Sequence, residues 1–95
     1  KDIHLETEKQ FSKYNFEIAN SENLLKIFEM LEKEAKSLIE NYLPLPAYDQ
    51  CLKASHVFNI LDARRAISIA QRAEYISRIR DLVKGVGEKY IEGNY

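Results

Sequence analysis

His56, Asn59 and Asp62 fall three residues apart, so on a helix they share one face. A histidine with a carboxylate to orient it is the raw material of general acid–base catalysis. That chemistry also needs a nucleophile or a phosphate-cradling loop within reach, and the sequence sets neither beside these three residues. His56, Asn59 and Asp62 therefore read as structural polar groups next to a buried helix, satisfying loop backbone or a subunit contact. Cys51, the single cysteine, sits among Tyr48, Leu52 and Ser55 without a cation to lower its pKa, and reads as an inert thiol. With two histidines it does not build a zinc site, so neither a metal ligand nor a catalytic residue is assigned.

The stronger binding candidates are Arg64 and Arg65, joined by Arg72, Arg78 and Arg80. A guanidinium offers a planar fork that fits a carboxylate or a phosphate. The competing reading is that these are solvated charges paired within the chain, with Glu74 to Arg78 and Asp81 to Lys84 at hand, and composition alone favours it. Two helices joined by a short turn also suggest helix–turn–helix binding of DNA. The last helix, however, opens Ile69-Ala70-Gln71 and the chain is net −1, so no DNA partner is expected.

The elements that carry these residues are helical. Ninety-five residues make one domain, and three glycines with two prolines are too few for a turn-rich β protein. Hydrophobic residues are 45% and charged residues 31%, which suits helices with solvated faces. The charge is uneven: residues 1–50 hold six lysines against ten acids, whereas residues 51–95 hold eight basic residues against five acids. A polyanion or acidic partner would meet the second half. No apolar run approaches membrane-spanning length and no signal peptide is visible, so no membrane partner is expected. A lone cysteine suits a reducing, cytoplasmic setting. The first residue is Lys1, in mid-stride among charges, which reads as a piece of a longer protein.

Periodicity gives an all-α bundle of three long helices, about 21–42, 46–63 and 69–92, plus an N-terminal appendage. In the appendage, Glu6 to Lys13 reads as a short helix and Tyr14, Phe16 and Ile18 as an extended connector. Asn20 or Ser21 caps the first long helix, whose stripe is Leu24, Phe28, Leu31, Ala35, Leu38 and Tyr42, widened by Ile27 and Ile39. Its polar face pairs Glu22 with Lys26, Glu29 with Lys33 and Glu32 with Lys36. Pro44 and Pro46 end it, Pro46 opens the next helix, and Leu43 and Leu45 are expected to pin the corner to the core. The helix from Pro46 to Ala63 is apolar over much of its circumference and should lie centrally. Ser68 and Gln71 form a capping box for the last helix, with Ile69, Ala73, Ile76, Ile79, Val83, Val86 and Tyr90 as its expected core stripe. Gly85 and Gly87 mark close packing or a weakened terminal turn.

The run LPLPAYDQCLKASHVFNILDARRAIS from Leu43 to Ser68, followed by QRAEYISRIRDL, resembles the C-terminal helical region of the alpha subunits of bacterial tetrameric glycyl-tRNA synthetases, which have two alpha and two beta chains. The gap-free run reaches about Leu82, and YNFE at Tyr14–Glu17 with the acid-rich helix after it extends the resemblance to most of the chain. It departs at Arg65, where glycine or lysine is expected. The resemblance implies a glycine–tRNA ligase whose class II catalytic domain, with its ATP and Mg, lies upstream. Residues 1–19 would then be a connector and 20–95 a C-terminal helical domain, with no cofactor of its own and no activity alone. The implied partners are the beta subunit, a second alpha subunit and tRNA(Gly), and the implied role is subunit and domain assembly. Direct tRNA contact by the arginine face is an alternative, and a free-standing helical protein-interaction module is another.

Overall fold

The computed structural model describes residues 3–14 and 20–93. Helix α1 spans Ile3–Lys13, α2 Ser21–Glu40, α3 Pro44–Ala63 and α4 Ile69–Glu92. Among the described residues there is no strand, and α2, α3 and α4 pack on one another while α1 touches none of them. The fold is the all-α bundle that the periodicity implies. The appendage is helical from Ile3, earlier than Glu6, and Tyr14, read as the start of an extended connector, still lies in a helical turn; the rest of that connector lies outside the described residues.

Each long helix begins and ends for a local reason. The Asn20 side chain accepts from the Asn23 amide at 3.1 Å and caps α2. At its far end the Leu43 amide reaches back to the Leu38 carbonyl at 2.9 Å and the Tyr42 amide to Ile39 at 3.1 Å. That pattern is a Schellman ending, and Tyr42 takes its left-handed position at φ 57°. The end of α3 repeats it: Ala66 donates to Leu61 and Arg65 to Asp62, both at 3.0 Å, with Arg65 left-handed at φ 55°. Helix α4 starts with the Ser68–Gln71 capping box complete in both directions.

The core forms two apolar clusters. Leu24, Phe28, Ala54, Val57, Phe58, Ile60, Leu61 and Tyr75 make the first. Ala35, Ala47, Cys51, Leu82 and Val86 make the second. Gly85 allows the two outer helices to close up here, because a Cβ on it would stand 3.2 Å from Ile39 Cδ1; Gly87 faces open space.

Several expected faces are turned. Helix α3 starts at Pro44, which is buried, while Leu43 and Leu45 are exposed; the proline ring, not the leucines, fills the corner. Helix α2 stops at Glu40, leaving Tyr42 half exposed beyond it. Glu32, placed on the solvated face by its pairing with Lys36, is buried between Phe28 and Ala35 on the core stripe. On α4 the buried residues are Tyr75, Leu82 and Val86, whereas Ile69 is 89% exposed, and Ala73, Val83 and Tyr90 are also exposed. A helix turns about 100° per residue, so the inward face lies roughly one residue's rotation from the expected stripe. Helix α3 is the central one, as its composition suggests: it packs on both α2 and α4 and supplies residues to both clusters, with Tyr48 and Leu52 left on its outer side.

Candidate functional site

The arginines divide into two groups. Arg78 points inward from α4 and grips Glu32 of α2 with a two-point fork, its Nε 2.9 Å from Oε2 and its Nη2 in contact with Oε1. Its guanidinium also lies 5.2 Å from the Phe28 ring centre and 4.8 Å from that of Tyr75. Those rings meet edge to face at 4.8 Å, so the cation rests against two aromatic groups as well as a carboxylate. The hydrogen bond from Arg78 holds the Glu32 carboxyl below its usual range against the opposing push of burial, and Glu32 in turn raises the pKa of Arg78. Arg72 also has a partner: its Nε is 3.2 Å from both Asp62 oxygens, tying α4 to the last turn of α3.

Arg64 and Arg65 lie at the end of α3, and Arg80 lies on α4. Arg64 is half-buried and caps α3, its amide donating to Ile60 at 3.0 Å. Arg65 is exposed on the α3–α4 turn, and Arg80 is exposed on the outer side of α4. Helical spacing puts Arg80 on one line with the exposed Ile69, Ala73, Val83 and Ile91, with Lys84 beside it. The bundle thus presents a face of apolar groups and cations that its own core does not use.

The polar trio is not assembled into a reacting set. Asp62 is occupied with Arg72, while His56 and Asn59 are exposed on α3. Cys51 is buried, and burial pushes its thiol pKa up, away from nucleophilic use. The pair missed by local reading is Glu32–Arg78, whose partners stand 46 residues apart. The one sequence signal for it was a stripe position held by an acid in an otherwise apolar series.

A family model described as glycyl-tRNA synthetase alpha subunit matches residues 1–94. The chain belongs to that family. It is thus part of an aminoacyl-tRNA synthetase, a glycine–tRNA ligase of protein synthesis. The described residues of this alpha-subunit chain include no group of three His, Cys, Asp or Glu able to hold a metal ion. Arg72 and Arg78 are held by carboxylates, and no step of glycine activation is derived through the described residues. Among the described residues, no helix is long and apolar enough to cross a membrane.

Proposed function

We propose that this helical unit is a non-catalytic assembly domain of the synthetase, joining the alpha subunit to the beta subunit in the two-alpha, two-beta complex. The observation that supports it most is the outer face of α4, where Ile69, Val83 and Ile91 lie exposed beside Arg80. Apolar groups rimmed by arginine are what subunit interfaces use as anchors. The class II catalytic domain, with its ATP and Mg, is placed upstream, residues 1–19 serve as the connector to it, 20–95 form the C-terminal helical domain, and the complex works in the cytoplasm. Isolated, the chain is expected to support neither glycine-dependent ATP exchange nor charging of tRNA(Gly).

Pull-down of the beta subunit tests this reading. Arg80→Glu combined with Val83→Asp is expected to weaken capture about tenfold or more while leaving the melting temperature nearly unchanged, since both residues are exposed. Unaltered capture would remove the role given to this face. A second reading, contact with tRNA, is favoured by the exposed Arg65, Arg80 and Lys84 on the basic half of the chain. It requires affinity for tRNA(Gly) that falls steeply with salt, because phosphate contacts release counterions.

A further inference from the structure

Among the described residues, no other helix packs on α1, and none covers the groove between α2 and α3. Helix α1 has 11 residues and buries none of them. An isolated helix of that length is marginal in water. Its Ile3, Phe11 and Tyr14 fall on one face with Thr7 between them, all exposed, and Glu6 and Glu8 flank that face on either side. On the bundle, Ile27 and Leu31 of α2 with Leu52, Lys53, His56 and Val57 of α3 line an open apolar groove of about 460 Å³. The exposed Tyr48 and Leu45 continue its α3 side by about two more helical turns.

We propose that this groove is the seat of α1 from the same chain, completing a four-helix arrangement. Reach permits it. Lys13 and Ser21 are eight residues apart, up to roughly 27 Å of extended chain, and Ile27 lies less than two turns into α2. Running antiparallel to α2, α1 sets Phe11 and Tyr14 near Ile27 and His56, and Ile3 toward Leu52 and Tyr48. The docking also accounts for the composition of α3, whose apolar circumference exceeds what α2 and α4 cover. It uses the face of the bundle opposite to the α4 surface and does not rest on the assembly role.

Amide hydrogen exchange on the chain tests it, with Phe11→Asp and Leu52→Glu as variants at exposed positions. The expected result is protection of the α1 amides by about tenfold or more over free-chain rates, lost in both variants while α2, α3 and α4 stay protected. Exchange of the wild-type α1 amides at free-chain rates would overturn the proposal. So would protection that survives both substitutions. Protection that grows with protein concentration would do so too, because it would assign the groove to a second copy.

Discussion

Arg78 holds one carboxylate and rests on two aromatic rings at once, and removing it leaves a carboxylate with 11% of its side chain exposed and no fork to neutralise it. Arg78→Ala is expected to cost about 2 kcal/mol, less than a fully buried pair because the arginine side chain itself is 27% exposed. Urea unfolding followed by circular dichroism measures it. The pair also gives stability a pH dependence. The folded Glu32 carboxyl lies below its ordinary value of 4.5, so between the two values the unfolded chain binds more protons and stability rises with pH. The contribution is complete above about pH 4.5 and is lost as pH falls through the folded value. Glu32→Gln should therefore flatten the decline in unfolding free energy as pH falls below about 4.5. Unequal slopes are the prediction, and equal slopes in the two proteins would refute it. Sequence reading had Glu74 for Arg78 and Lys36 for Glu32 because an i,i+4 neighbour is visible in a string of letters. The Lys36 contact exists, at 4.0 Å, but the partner that decides the burial comes from another helix.

The helix ends are where local sequence carried the most information, and also where it left strain. Asn20 and the Ser68–Gln71 box cap as their types dictate, since a side chain satisfying amides three residues on needs no tertiary help. Ser68→Ala is accordingly expected to cost about 1 kcal/mol. The two Schellman endings are different, because Tyr42 and Arg65 occupy left-handed positions that favour glycine. Arg65→Gly should stabilise the chain by about 1 kcal/mol, read as a rise in melting temperature. The departure from glycine at Arg65 is thus a backbone matter as well as a question of the side chain. Gly87→Ala should add about 0.5–1 kcal/mol, since a Cβ there meets nothing; Gly85→Ala should gain less or lose, because Ile39 must move. What letters did not reveal was the rotation of α4. Its sequence offers Ile69, Ala73, Ile76 and Val83 on one line and Tyr75, Ile79, Leu82 and Val86 on another. The second line wins because it brings Tyr75 to Phe28 and Arg78 to Glu32.

At the scale of the whole bundle, the question is whether two apolar clusters make one cooperative unit. Helix α2 crosses both, giving Leu24 and Phe28 to the first and Ala35 to the second, with Glu32 between. Helix α4 mirrors it, with Tyr75 in the first, Leu82 and Val86 in the second, and Arg78 between. The ion pair therefore bridges α2 and α4 at the junction of the clusters, and Leu61 and Cys51 carry α3 through both. Helices that each serve two clusters cannot leave one without loosening the other, so unfolding should be a single transition. Phe28→Ala and Leu82→Ala, one change in each cluster, are expected to cost about 3–5 and 2–5 kcal/mol respectively. A domain of this size holds only about 5–14 kcal/mol in all, so either change moves the midpoint far. Both should shift the tyrosine fluorescence and far-ultraviolet circular dichroism curves together. Two separated transitions in Leu82→Ala, with the tyrosine signal of the first cluster surviving after helix is lost, would show that the clusters are independent. Coincident curves would place the Glu32–Arg78 junction inside one folding unit.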